Sequence, residues 1–150
     1  MEIKYQKRMS KQKLIDGEEN EGISLDVIEA IEQKIGKKFP QSYREFLYLG
    51  GETANMLLDM ECSVTDDYWQ EIRQNALDLL KEDKIEIDDN FWVVAMGDDE
   101  FFFFYFDGKE DPEIFKFSSF GYPDAGITKE NETLTAFIDW CIEYRKREGY

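Results

Sequence analysis

The sequence predicts an α+β domain: helices come first, a mainly antiparallel sheet follows, and an amphipathic helix closes the chain. Three observations carry this reading. Apolar residues recur at helical spacing between Ser24 and Lys81. From Phe91 to Phe117 that spacing gives way to short β-branched and aromatic runs broken by acidic, glycine-containing turns. After Thr133 the helical period returns. At 150 residues, 42% of them hydrophobic, the chain reads as one domain able to bury a core without staples, and residues 1–22 form a variable N-terminal segment.

Taken in order, residues 1–22 are polar, with a weakly signalled short helix from Tyr5 to Leu14 and a solvated loop over Asp16–Glu21. Ser24 is a favoured N-cap, and Ile23 and Ile28 flank it as a hydrophobic staple. Leu25, Ile28, Ile31 and Ile35 make one stripe, with Glu29 and Glu32 facing away or at its edge. Gly36 stands where a helix wants a left-handed residue. Pro40 opens the next helix behind the anchoring Phe39. Tyr43, Phe46 and Leu47 form its apolar stripe, and Gly50-Gly51 stops it. A third helix spans about Asp66 to Lys81, with Trp69, Ile72, Ala76, Leu79 and Leu80 in period and Thr65 or Ser63 as cap.

Phe91–Met96, Phe101–Phe106 and Glu113–Phe117 read as three antiparallel strands in a meander. The phenylalanine run has no polar face, so it is expected as a central strand covered on both sides, with flanking acids limiting aggregation. Residues 118–132 read as a loop. Thr133 caps a last helix whose buried stripe is Leu134, Phe137, Ile138, Cys141 and Ile142, with Arg145, Lys146 and Arg147 suiting its C-terminal dipole.

Charge narrows the function classes. Asp and Glu number 34 against 18 Lys and Arg, a formal net charge of −16. Such a surface repels nucleic-acid phosphates and anionic membranes, and it attracts basic proteins. The same acidity also serves solubility. Histidine is absent, which excludes Ser-His-Asp and Cys-His chemistry. Cys62 and Cys141 lie far apart and read as small apolar residues. No apolar leader follows the N-terminal lysines and no 18-residue apolar run occurs, so the expected compartment is the cytoplasm. GxGxxG, P-loop, GxSxG and EF-hand patterns are missing, and neither a cofactor nor a metal is expected.

The candidate contact residues are the acidic turns and nearby aromatics. Asp88, Asp89 and Asp107 are expected at one end of the sheet, with Asp98, Asp99 and Glu100 at the other; Tyr68, Trp69, Trp92, Tyr105 and Tyr122 are the aromatic anchors. Three readings stand side by side: solvated, strand-protecting turns; a contact surface for a basic protein; and a carboxylate or metal catalytic site.

The stretch from Ile28 to Glu52 carries a resemblance. A helix ending in Ile35-Gly36, two residues, the Phe39-Pro40 pair, then Tyr43, Phe46, Leu47 and Gly50-Gly51 is similar to the signature of the SUKH superfamily, which includes fungal cell-wall assembly regulators and many bacterial immunity proteins. The matching positions are Glu32, Gly36, Pro40, Tyr43, Phe46, Leu47 and Gly51; Phe39 stands where Leu is more usual, and Leu49 replaces an Asn. Read from the residues, these positions are structural: two glycines for backbone geometry, a proline to start a helix, and three core side chains. The resemblance implies a non-enzymatic immunity protein that binds a cognate basic toxin of nuclease type, as a monomer or weak homodimer. It equally admits a regulatory scaffold; the fungal members' long disordered flanks are missing from this sequence, which weights the expectation toward immunity.

Overall fold

The computed structural model describes residues 1–119 and 125–148. Its elements are α1 (Lys7–Lys11), a ribbon of β1 (Leu14–Ile15) and β2 (Glu18–Glu19), α2 (Leu25–Ile35), α3 (Gln41–Gly50), 3-10 turns at Asn55–Leu57 and Thr65–Asp67, α4 (Tyr68–Glu82), β3 (Phe91–Met96), β4 (Glu100–Tyr105), β5 (Ile114–Ser118), β6 (Gly126–Asn131) and α5 (Leu134–Arg147). The last four strands form one antiparallel sheet in the order β3-β4-β5-β6. The α+β class is as the sequence predicts. Among the described residues, no helix is long and apolar enough to cross a membrane.

The sheet is buried on both faces. On one side Ile72, Ala76 and Leu80 of α4 pack against Phe91, Val93, Phe101, Phe103 and Phe117. On the other, α2, α3 and α5 cover Trp92, Val94, Phe104 and Ile114. This double cover explains a β4 sequence without a polar face. The register shifts between Val93 and Ala95, a bulge that turns both Val94 and Ala95 to the α3 and α5 side and restores Met96 to the α4 side.

Local chemistry sets the helix ends. The Ser24 hydroxyl accepts from the Val27 N–H, and Gly36 is left-handed at φ 72°. Glu32 closes the following corner: its Oε2 accepts from the Phe39 N–H at 2.7 Å and meets Arg44 Nε at 3.2 Å. Pro40 is the N-cap of α3 and not its first residue, and its carbonyl accepts from Tyr43 and Arg44 N–H. Gly51 is right-handed, so its glycine serves space: a Cβ there would lie 2.7 Å from the Leu47 carbonyl oxygen and 2.9 Å from Ile23 Cγ1.

The structure corrects the sequence reading in several places. Residues 118–132 do not form one loop, because Gly126–Asn131 is the fourth strand. It is one edge of the sheet and half-buried, with only Lys129 and Glu130 exposed, and these polar residues mimic a loop while discouraging edge pairing. The helix expected over Tyr5–Leu14 shrinks to Lys7–Lys11. Neither Thr65 nor Ser63 caps α4: Asp66 and Asp67 turn left-handed at φ 54° and 60°, and the helix starts at Tyr68. Leu25, expected on the buried stripe, is exposed.

Candidate functional site

One end of the sheet gathers an open surface from three parts of the chain. The first is the segment after the Asn55–Leu57 turn. Glu61 pairs with Met96 through reciprocal backbone hydrogen bonds of 2.8 Å, which ties residues 58–62 to the end of β3. That tether sets Asp59 and Glu61 beside the second part, the Gly97–Glu100 turn between β3 and β4. The third is α5. Thr133 caps it, accepting from the Ala136 N–H at 3.0 Å, and its buried stripe is the one the period predicts. Trp140 and Tyr144, one turn apart, fall outside that stripe. They are 53% and 37% exposed, and their rings stack with centroids 5.2 Å apart.

Between α5, the Asn55–Leu57 turn and strands β4 to β6 runs a groove of about 460 Å³. Met56, Met60, Phe102 and Phe137 supply apolar lining, and Trp140 and Tyr144 stand along it. Its charged groups are mostly internally paired: Arg145 Nη1 lies 3.4 Å from Asp59 Oδ1, and Lys116 Nζ 3.5 Å from Glu130 Oε1. Burial, aided by the Asp59 charge, pushes the Cys141 thiol at its floor up to about 12. Sharing Asp59 and Met60 with the groove is a cleft of about 580 Å³. Asp59, Glu61, Asp78 and Asp98 line it, and no Lys or Arg does among the described residues.

The sequence-predicted contact residues divide between the two ends. Asp98 and Asp99 are exposed and Glu100 half-buried on the groove side. Tyr68 stands half-buried near them, its hydroxyl hydrogen-bonded to Glu61, and that carboxylate raises the phenol above its ordinary range. Asp88, Asp89 and Asp107 are exposed at the opposite end, as the meander requires. Asp88 Oδ1 accepts from the Asn90 N–H at 2.8 Å, and Asp107 Oδ1 from the Lys109 N–H at 3.0 Å, so both carboxylates shape turns. Arg73 locks the same region, donating to the carbonyls of Phe91 and Asp89 at 2.6 and 2.7 Å.

The aromatic anchors fare differently. Trp92 is 5% exposed and packs with Phe39, Tyr43 and Trp69, so the structure places it in the core and not among exposed anchors. Trp69 is half-buried beside it, lining a 220 Å³ hollow with Lys37, Arg73 and Phe106. Tyr105 is half-buried in β4 against Phe103 and Phe115. Tyr122 lies outside the described residues. Sequence reasoning missed Trp140, Tyr144, Asp59, Glu61 and Asp78. The aromatic pair had a readable signal, an i,i+4 spacing off the buried stripe; the three acids are joined only by the fold.

Chemically, this end offers aromatic faces and carboxylates to a cationic or amphipathic partner. Among the described residues, no group of three or more His, Cys, Asp or Glu is placed to hold a metal ion. The fold, a four-stranded antiparallel sheet with helices on both faces and a corner fixed by Glu32, defines a SUKH-type domain. The family model for the SMI1 / KNR4 family (SUKH-1) matches residues 22–140, and the chain belongs to that family. Comparison with curated proteins gives no match.

Proposed function

We propose that the chain is a non-catalytic immunity protein that binds a cognate basic toxin, of the nuclease type, and neutralises it by stoichiometric occlusion in the cytoplasm. SUKH-1 membership supports a binding domain and is shared by regulatory scaffolds of the cell-wall assembly type. The observation that carries the immunity reading is the pairing of a net charge of −16 with an open aromatic groove at one end of a sheet buried on both faces. A protein that handles nucleic acid concentrates positive charge at its active cleft, and an acidic, preformed surface meets such a cleft quickly. The same charge argues against nucleic acid and anionic membranes as ligands. The chain then acts as a monomer or weak homodimer, with no cofactor and no bond made or broken on its own surface.

The test is co-expression with a candidate toxin encoded by a neighbouring gene. Rescue of growth and a 1:1 complex on gel filtration are expected. A complex that forms without rescue favours the scaffold reading. Turnover of a small molecule that is lost in Asp98→Asn or Asp107→Asn would replace both readings with an enzymatic one.

A further inference from the structure

The geometry points to the groove between α5 and the sheet, with its adjoining acidic cleft, as the docking surface for an amphipathic cationic segment of a protein partner. This rests on the binding role proposed above and assigns the surface that performs it. Three independent features define the occupant. First, Trp140 and Tyr144 present stacked rings to solvent in the last turns of a helix whose other face is core, and Leu58, 41% exposed, adds apolar surface in the adjoining cleft. Neither ring is needed to fill the interior. Aromatic faces of this kind attract guanidinium and ammonium groups and serve as interface anchors.

Second, the groove continues at Asp59 and Met60 into a cleft lined by Asp59, Glu61, Asp78 and Asp98. An apolar side chain seated over Met60 and Phe102 therefore has carboxylates within reach of a Lys or Arg farther along the same segment. Third, a second copy of this chain is a poor occupant, because two bodies of charge −16 repel and the cleft presents no basic group among the described residues to complement another copy's acids. The opposite end of the sheet is a weaker surface for a cationic segment, because its hollow is lined by Lys37 and Arg73.

The test titrates the isotope-labelled full chain with a capped decapeptide of alternating Leu and Arg at physiological salt, and with its Leu-Glu counterpart. The Trp140 indole N–H and the amides of Asp59–Glu61 and Gly97–Glu100 are expected to move with the Arg peptide only. Trp140→Ala should weaken binding at least about tenfold. Asp78→Asn with Asp98→Asn should weaken it several-fold and flatten its salt dependence. Val27→Ala, an exposed apolar change on α2, should leave it unchanged. All four positions are exposed, and unchanged melting curves verify the fold.

Shifts spread evenly over the acidic surface, or unaffected by Trp140→Ala, overturn the assignment. Concentration-dependent dimers abolished by Trp140→Ala overturn it in favour of self-association. Growth rescue separates this inference from the reading beneath it. Rescue by wild type and equally by the Trp140→Ala, Asp98→Asn double variant removes the surface and leaves neutralisation standing. Absence of rescue with the peptide contacts intact removes neutralisation and leaves the surface.

Discussion

The indole Nε1–H of Trp92 donates to the Tyr43 hydroxyl at 2.7 Å, joining β3 to α3 inside the apolar core. Tyr43 is fully buried, and burial raises its phenol pKa above the ordinary value, so the group is neutral at every physiological pH. The pair is a polar tie within an aromatic cluster of Phe39, Phe46 and Phe104. Tyr43→Phe keeps the ring and leaves the indole N–H unpaired. It is expected to lower stability by about 1–3 kcal/mol, read from urea unfolding. Trp92→Phe with Tyr43→Phe should cost less than the sum of the single changes, since the double variant strands no donor.

Glu45 anchors the N-terminal segment. Its Oε1 accepts from the N–H groups of Lys4, Tyr5 and Gln6 at 2.8–3.0 Å, and Oε2 from Gln41 Nε2 at 3.0 Å, with the side chain fully buried. Glu45→Ala removes the acceptor for all three donors and should destabilise the domain by about 2–4 kcal/mol, with Glu45→Gln in between. Amide exchange at Lys4–Gln6 should accelerate in Glu45→Ala; protection equal to wild type would remove the anchoring role.

Two kinds of glycine should respond differently to alanine. Gly36 has open space around its missing Cβ and only its left-handed φ to protect, so Gly36→Ala should cost about 1 kcal/mol and Gly36→Asn less. A Cβ at Gly22 would lie 1.7 Å from the Tyr48 carbonyl oxygen, a backbone atom that cannot swing aside. Gly22→Ala should therefore cost more than Gly36→Ala, and thermal melts of the two variants check the order.

Burial raises the thiols of Cys62 and Cys141 from 9.0 to about 11 and about 12. Both should resist a thiol reagent at pH 8 in the native protein and react on unfolding. Because the folded-state values lie above the unfolded one, the native chain holds more protons through that window. The thiols' contribution is thus present at neutral pH and lost as pH rises from about 9 toward 11 and above. Labelling at native rates equal to denatured rates would contradict their burial.

A net charge of −16 implies self-repulsion in the native state. Raising sodium chloride from about 10 to about 150 mM shortens the screening length from roughly 30 to roughly 8 Å. The melting temperature should therefore rise over that range, and a fall would show that local ion pairs outweigh the repulsion.

Local signals were strong where a residue's role depends on its neighbours in sequence. Ser24 as cap, Gly36 as left-handed stop, the α5 stripe and the two-sided phenylalanine strand all follow from spacing and side-chain chemistry. The family resemblance was legible for the same reason, since Gly36, Pro40 and Tyr43 occupy one continuous stretch. The Gly126–Asn131 strand was not legible, because an edge strand needs no apolar alternation; its pairing with β5 identifies it.

Tertiary structure alone decided which acids stand together and that Trp92 is core. Asp59, Glu61, Asp78 and Asp98 come from three separate segments and meet because Glu61 pairs with Met96 beside α4. Trp92, which the sequence offers as a surface anchor, lies in the core and donates to Tyr43, while Trp140 stands off the α5 face that is buried. Amino-acid order thus set the elements and the total charge. Packing set the address of each charge and ring, because burial depends on what the opposing surface supplies.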